Sequence, residues 1–166
     1  MVSTIVSNSI NMNYLLAFFT FIALASGCTE TAVQSVTDTL IIRTGTSFGM
    51  CVGDKCRKDY LFTGTSGTLT HGGNSRGTPV PPKTCQKSIS AADWNVLKAA
   101  VNLSTFGQQP ERIGCPDCAD GGAEYIELEQ GDSKHRVTFP YGQTIPGFEP
   151  LVTALREQRN QFNSCP

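Results

Sequence analysis

The sequence lacks a hydrophobic run long enough to cross a bilayer as a helix, and it lacks an excess of charge of either sign. Its apolar stretch from Tyr14 to Leu24 has eleven residues, whereas a membrane-spanning helix needs roughly 20. Thirteen basic and fourteen acidic side chains give a net charge of −1, which removes the electrostatic bias typical of nucleic-acid-binding proteins. We therefore expect neither a transmembrane helix nor a nucleic acid partner.

Signatures of catalysis are also missing. The chain has no phosphate-binding glycine loop, no serine nucleophile elbow and no paired-carboxylate signature, and it contains only two histidines. His71 lies in a glycine-rich segment and is expected to be solvated. His135 lies on a predicted strand without a nucleophile or base nearby in the sequence, so a role on the sheet face is expected. These absences favour a non-catalytic protein, and the sequence predicts no cofactor.

The segment Leu24-Ala25-Ser26-Gly27-Cys28 closes the apolar stretch and begins with its last residue. It resembles a bacterial lipobox, in which small residues precede a cysteine that is diacylated and becomes the mature N-terminus. Because residues 1–13 contain no Lys or Arg, a start at Met12 is an alternative. A second alternative is cleavage after Ala25 by the ordinary signal peptidase, which would release a soluble protein. The pattern predicts a signal peptide at residues 1–27 and lipidation of Cys28.

The remainder of the chain is predicted to form one domain. Removal of residues 1–27 leaves 139 residues, a usual size for a domain with a single hydrophobic core. Residues 28–38 are small and polar and are expected to act as a lipidated tether, with the domain at residues 39–166. At the position after the lipidated cysteine, an aspartate would retain a lipoprotein at the inner membrane. Because Thr29 occupies this position, the outer membrane is the favoured location. The expected location is therefore the cell envelope, with the membrane as a partner through the N-terminal lipid.

Six cysteines follow Cys28, an even number that is typical of a disulfide framework in an exported chain, with fifteen possible connectivities. Two of the possible pairs, Cys51–Cys56 and Cys115–Cys118, enclose short turn-forming sequences, so each can form a local disulfide. The last pair follows by elimination and closes a long loop, which restricts the unfolded chain by roughly 4–5 kcal/mol in the chain-entropy model. The predicted disulfides are Cys51–Cys56, Cys115–Cys118 and Cys85–Cys165.

Hydrophobic patterning predicts strands in the first half of the domain. Residues 39–44 are β-branched and apolar, and residues 59–63 continue through a turn or bulge into a strand-like segment at residues 67–70. Residues 71–83 contain three glycines and three prolines, which predicts an exposed flexible loop. A short edge strand is expected at residues 84–88.

Two helices and a hairpin are predicted after this loop. Ser90 and Asp93 form a capping-box-like start for the first helix, which is expected to end by residues 103–107. Strict alternation over residues 125–129 predicts a strand with Ile126 and Leu128 towards the core and Glu127 and Glu129 in water. The return strand carries His135, Val137 and Phe139, and the second helix carries an apolar stripe of Phe148, Leu151 and Leu155.

These elements predict an α+β fold in the order strand, strand, helix, strand, strand, helix. The simplest arrangement that buries the apolar stripes is an antiparallel sheet of four to five strands with two helices on one face, cross-linked by disulfides.

Two segments resemble a known group of proteins. They are SFGMCVGDKC at residues 47–56 and GCPDCADGGAE at residues 114–124, followed by an alternating strand. Together they resemble small uncharacterised lipoproteins of the Bacteroidota, over roughly residues 40–159. The resemblance implies an envelope location and a compact α+β domain, and it brings no catalytic residues.

The cysteines also admit other chemistry. Cys115 and Cys118 have the C-x-x-C spacing of thiol oxidoreductases, but glycines and a strand follow them instead of an apolar helix, which favours a structural disulfide. A tetrathiolate zinc site made with Cys51 and Cys56 is a further alternative. Carboxylates that could bind calcium are Asp117, Asp120 and Glu124, although capping of the backbone near Gly121-Gly122 explains the aspartates equally well.

Three hypotheses of function follow. The first is a membrane-anchored envelope lipoprotein that binds another protein or a surface ligand without catalysis, through the loop at residues 71–83 or a sheet face. The second is a thiol-disulfide redox protein acting through Cys115 and Cys118. The third is an inhibitor of a secreted hydrolase that uses the same loop.

Overall fold

The computed structural model describes residues 39–165, and six strands form its sheet. They are β1 (Ile41–Ser47), β2 (Gly53–Thr63), β3 (Ser66–Ser75), β4 (Thr78–Ser88), β5 (Ala123–Gln130) and β6 (Ser133–Pro140). Every neighbouring pair is antiparallel, and the order across the sheet is β4-β3-β2-β1-β5-β6. The predicted signal peptide, the lipidation of Cys28 and the tether lie outside the described residues.

Three helices pack on one face of this sheet. They are α1 (Ala91–Ala99), α2 (Leu103–Phe106) and α3 (Glu149–Asn160), and α3 continues into a 3₁₀ turn at Gln161–Ser164. The Ser90 side chain accepts a hydrogen bond from the Asp93 backbone N–H, as the capping pattern predicts. The predicted first helix is divided in two, because the Asn102 side chain accepts a hydrogen bond from the Thr105 N–H and begins α2.

The core lies between the helices and two rows of side chains on the sheet. Because side chains alternate between the faces of a strand, the strand registers place Leu128, Ile42 and Phe62 in one row and Ile126, Thr44 and Tyr60 in the next. The helices contribute the other buried members of the same cluster, which include Trp94, Leu97, Phe106, Leu151, Leu155 and Phe162. The predicted α+β class, with helices on one face of an antiparallel sheet, is therefore observed.

The strand count and order differ from the prediction at two places. The predicted order counts residues 59–70, interrupted by a turn or bulge, as one strand, but they fall in two strands, β2 and β3. Gly64 and Thr65 make a two-residue turn between them, and the φ of +56° at Gly64 lies in the left-handed region that glycine enters easily. Of the turn and the bulge that the sequence leaves open, the structure has the turn.

The predicted flexible loop at residues 71–83 is also wrong. These residues belong to β3 and β4, which form a hairpin whose tip at residues 74–79 is exposed. β4 is an edge strand, so its outer N–H groups need no partner, and three prolines are tolerated there. A register shift between His71 and Gly73 accommodates the glycines. The short edge strand expected at residues 84–88 is the end of β4.

The second half of the domain follows the prediction closely. β5 and β6 form the expected hairpin, in which Ile126, Leu128, Val137 and Phe139 are at most 1% exposed. The helix α3 buries Leu151 and Leu155, and Phe148 precedes its first residue. Glu127 is the exception, because it is only 5% exposed although the alternation predicts that it faces water.

Three disulfides join the six described cysteines. They are Cys51–Cys56, Cys85–Cys165 and Cys115–Cys118, and these are the pairs expected from the sequence. The Cys85–Cys165 bond links the edge strand β4 to the residue after the last 3₁₀ turn, across a separation of 80 residues. It therefore holds the C-terminal segment against the sheet.

Candidate functional site

A third row of side chains on the helix-facing side of the sheet is polar. This row lies two residues along each strand from the row of Ile126, Thr44 and Tyr60. In it, the register brings Glu124, Thr46 and Lys58 side by side, and His71 on β3 lies next to Lys58. Glu124 is in phase with Ile126 and therefore points towards the helices, which is an unusual position for a charged side chain. This polar row forms the floor of the candidate site.

Two arginines of α3 meet Glu124 from above. Its Oε2 atom accepts hydrogen bonds from Arg156 Nη2 and from Arg159 Nη2, each at 3.1 Å. The side chains of Glu124 and Arg159 are 3% and 9% exposed, and that of Arg156 is 29% exposed. Since a buried charge is costly without partners, this carboxylate is held by both guanidinium groups, and together the three side chains carry one net positive charge.

Further hydrogen bonds fix the two guanidinium groups. Arg159 Nη1 donates to Thr44 Oγ1 at 3.3 Å, and Arg156 Nη2 also donates to the Gln143 carbonyl at 2.6 Å. On the other side of the carboxylate, the Gly142 N–H approaches Glu124 Oε1 at 3.5 Å. The arrangement therefore links β1, β5, α3 and the segment that follows β6.

Between this row and α3 lies a cavity of about 420 Å³, which we call the α3 cleft. The residues that line it include Thr46, Lys55, Lys58, Tyr60, Glu124, Arg156, Arg159 and Asn163. Its volume falls within the range of small-molecule sites. Among the described residues, four cationic side chains and one carboxylate line the cleft, so its lining has a net positive charge although the whole chain has a net charge of −1.

Lys55 and Lys58 add two positive charges to the one that Glu124 leaves on the arginine pair. Among residues 39–165, neither lysine takes part in a salt bridge. Lys55 is exposed and Lys58 is half-buried, so their ammonium groups remain available to a ligand that enters the cleft.

Aromatic rings form one wall of the α3 cleft. Phe48 and Tyr141 both line it, and their rings meet edge to face with centroids 4.9 Å apart. Phe48 packs directly against Gly122, where a side chain would collide with the ring. The Tyr141 N–H donates to the Gly122 carbonyl at 3.1 Å. The sequence around Gly122 therefore positions both rings.

The loop closed by Cys115 and Cys118 supports this wall from outside. Asp117, within the loop, accepts a hydrogen bond at Oδ1 from the Gly122 N–H at 3.1 Å and approaches the Gly49 N–H at 3.4 Å. Both cysteines are exposed, and the residues that follow form a three-residue 3₁₀ turn, Cys118–Asp120. The Asp117 carboxylate thus caps the backbone at Gly122, and the redox hypothesis for this cysteine pair remains a prediction.

The two histidines have structural partners. His71 is 2% exposed and its Nδ1 atom lies 2.8 Å from the Asp54 carbonyl, so the prediction that it is solvated is wrong. The cause is that residues 71–83 form strands instead of a loop. His135 Nε2 lies 2.9 Å from the Gln109 carbonyl, and its ring packs edge to face on Phe106, which agrees with a role on the sheet face.

The metal alternatives find no geometric support in the part of the chain that the structure describes. No group of three His, Cys, Asp or Glu side chains there is arranged to hold a metal ion. Glu124 is held by arginines instead of joining Asp117 and Asp120, and the four cysteines of the zinc alternative are joined in disulfides.

A second charged cluster lies on the opposite face of the sheet. Glu127 accepts hydrogen bonds from Arg136 Nε at 2.8 Å and Arg43 Nη1 at 3.3 Å, and Lys134 Nζ lies 3.1 Å away. Three cations therefore surround this carboxylate, which explains its burial. Charges of opposite sign alternate across β6, β5 and β1, a pattern that stabilises neighbouring strands.

Sequence reasoning missed the α3 cleft and the residues that create it. Two signals were present in the sequence. Glu124 shares the alternation of Ile126 and Leu128, and Arg159 lies four residues after Leu155 on the apolar stripe of α3. Each signal places a charge on a buried face, and only the tertiary fold shows that the two charges meet.

Comparisons with known proteins do not identify a family for this chain. No family model matches the chain, and no curated protein matches it at a significant level. Among residues 39–165, no helix is long and apolar enough to cross a membrane.

Proposed function

We propose that this protein is a membrane-anchored, exported module that binds a small ligand in the α3 cleft without catalysis. The observation that carries this proposal is the cleft itself. Most of its lining comes from β1, β2, β5 and α3, and the segments after β1 and β6 and the last 3₁₀ turn add Phe48, Tyr141, Gly142 and Asn163. Binding sites built on strands and helices hold their geometry better than sites on loops.

The proposed location rests on the sequence. The lipobox-like segment ending at Cys28 supports export and attachment through lipid, and three disulfides suit an oxidising compartment outside the cytoplasm. A diacylated N-terminus anchors far more strongly than a single acyl chain. The outer membrane and the group of Bacteroidota lipoproteins remain the proposed setting.

The anchor is tested by fractionating cells that produce the full chain, followed by intact-mass measurement. The expected result is a membrane-bound protein that begins at Cys28 and carries the mass of its acyl groups. The Cys28→Ala variant is expected to be unlipidated and absent from the membrane fraction. A soluble wild-type protein that begins at Ser26 would contradict the proposal.

The binding site is tested by filling the cleft. Asn163 lines the α3 cleft and is exposed, so Asn163→Trp is expected to block the cleft while leaving the core intact. Asn95 is an exposed residue of α1 that lies outside the cleft, and Asn95→Trp is the matched control.

The readout is thermal stabilisation by a panel of small anionic, cationic and neutral aromatic compounds. A ligand that binds only the folded state raises its melting temperature. We expect at least one compound to stabilise the wild type and the control but not Asn163→Trp. Equal stabilisation of both variants, or no stabilisation by any compound, would contradict the proposal.

A further inference from the structure

We infer that the ligand of the α3 cleft is a small organic oxyanion, a carboxylate or phosphate attached to a flat apolar group. This inference rests on the proposed function and names the chemistry of its ligand. Among residues 39–165, the cleft is lined by four cations and one carboxylate, which leaves an excess of three positive charges; they are Lys55, Lys58, Arg156, Arg159 and Glu124.

The arginines are held by their own hydrogen bonds, whereas Lys55 and Lys58 form no side-chain hydrogen bond with the residues that the structure describes. The Glu124 carboxylate orients both guanidinium groups at 3.1 Å, and each group retains N–H donors beyond those that it uses in these bonds, because a guanidinium carries five. Lys58 extends from the floor of the cleft and Lys55 lies beside it in the lining. Oriented guanidinium groups and mobile ammonium groups are the side chains that recognise carboxylates and phosphates.

The shape of the cleft indicates the rest of the ligand. Phe48, Tyr141 and Tyr60 contribute aromatic surface beside the charged groups, and the amides of Asn160 and Asn163 lie on the side of α3. Sites of this kind bury an apolar body and use a few polar groups to fix its orientation. The volume of about 420 Å³ suits a single ring with its charged substituent better than a polymer.

Glu124 has a defined role in this arrangement. Without it, two guanidinium groups would lie together beneath α3, where one of them is 9% exposed, and their repulsion would oppose folding. With it, the pair is held in place and still carries a net positive charge. Glu124 is therefore a positioning residue, and the lysines are the groups expected to contact the oxyanion directly.

The inference is tested by calorimetric titration of the purified lipidated chain in detergent with four probes. They are inorganic phosphate, phenyl phosphate, the cation benzylammonium and the neutral benzyl alcohol. We expect phenyl phosphate to bind more tightly than inorganic phosphate, because it also contacts the rings. Neither benzylammonium nor benzyl alcohol is expected to bind. The affinity for phenyl phosphate is expected to fall as salt rises, because screening weakens partly exposed ion pairs.

The matched variants are Lys58→Gln, Lys58→Arg and Lys98→Gln. Lys98 is an exposed lysine of α1 outside the cleft, so its loss changes the net charge equally without touching the site. Lys58→Gln is expected to weaken phenyl phosphate binding by about tenfold, the effect of losing one charged hydrogen bond. Lys58→Arg is expected to restore most of the affinity, and Lys98→Gln is expected to leave it unchanged.

The outcomes separate this inference from the proposal on which it rests. Binding of benzylammonium or benzyl alcohol in place of phenyl phosphate, blocked by Asn163→Trp, would overturn the oxyanion inference and leave the binding module intact. Absence of binding by all four probes, together with no stabilisation in the broader compound panel, would overturn both. Equal loss of affinity in Lys58→Gln and Lys98→Gln would also overturn the inference, because it would show a nonspecific charge effect.

Discussion

At the scale of single residues, Glu127 contributes to the way the stability of the domain responds to acid. Burial has the largest individual effect and raises its pKa, but hydrogen bonds and charges from Lys134 and Arg136 together hold the pKa below the ordinary value of 4.5. A carboxylate with a lowered pKa in the folded state adds stability above its ordinary pKa, and this stability is lost as the pH falls through the folded value.

Replacement of this carboxylate is therefore expected to flatten the acid dependence. Glu127→Gln should be less stable than the wild type at pH near 7, and its free energy of unfolding should fall less steeply below about pH 4.5. Urea unfolding at a series of pH values measures both quantities. Glu157→Gln, at an exposed residue of α3, is the control. Identical pH dependence in Glu127→Gln and the wild type would contradict this account of the ion cluster.

Gly45 is required by the close approach of the neighbouring β2 backbone and of the Tyr125 ring. A Cβ atom at this position would collide with the Lys58 carbonyl oxygen and would lie 2.6 Å from Tyr125 Cε1, which is closer than real contacts allow. Gly45→Ala is expected to cost about 1–3 kcal/mol, as overpacking usually does. Gly72→Ala is the control, because its Cβ would meet its nearest neighbour at 3.7 Å. A denaturation experiment in which both variants lose the same stability would refute the prediction.

At the scale of elements, the three disulfides are expected to contribute unequally. Cys85–Cys165 closes a loop with a sequence separation of 80 residues, whereas Cys115–Cys118 has a separation of three. The chain-entropy model assigns these bonds about 4.5 and about 1.6 kcal/mol. Replacing both cysteines of each pair by alanine and measuring urea unfolding tests the ranking. Equal losses in the two double variants would disprove it.

The same bonds are expected to differ in their accessibility to reductants. Cys115 and Cys118 are both exposed, whereas Cys56 and Cys165 are 5% and 6% exposed. Mild reduction followed by alkylation and peptide mapping should therefore label Cys115 and Cys118 first, while the far-ultraviolet circular dichroism remains native. Labelling of Cys85 or Cys165 before this pair would show that access does not set the order.

The elements also show where sequence patterns carry structural information and where they do not. The β5–β6 hairpin and α3 were predictable because Ile126, Leu128, Leu151 and Leu155 repeat at the period of their own element. The β3–β4 hairpin was not, since Pro79 and its neighbouring prolines have the composition of a loop. Only its place at the sheet edge makes them acceptable in a strand.

At the scale of the whole molecule, the α3 cleft results from tertiary structure. Glu124 and Arg159 are 35 residues apart in sequence, and no local pattern states that they meet. Sequence alone predicts the disulfide pairs and the fold class, both of which depend on short motifs or periodicity, whereas the compartment stays a prediction. The site depends on the register of three strands and on the way that α3 crosses them, and neither can be read from composition.

The most direct test of the central claim is chemical-shift mapping of the isotopically labelled mature protein during titration with phenyl phosphate. If the α3 cleft binds a small organic oxyanion, the shifts will concentrate on the side-chain amides of Asn160 and Asn163 and on the backbone of Lys58 and Tyr141, and they will saturate. Shifts that spread over surface lysines such as Lys98, without saturation, would contradict the claim that the cleft is a binding site.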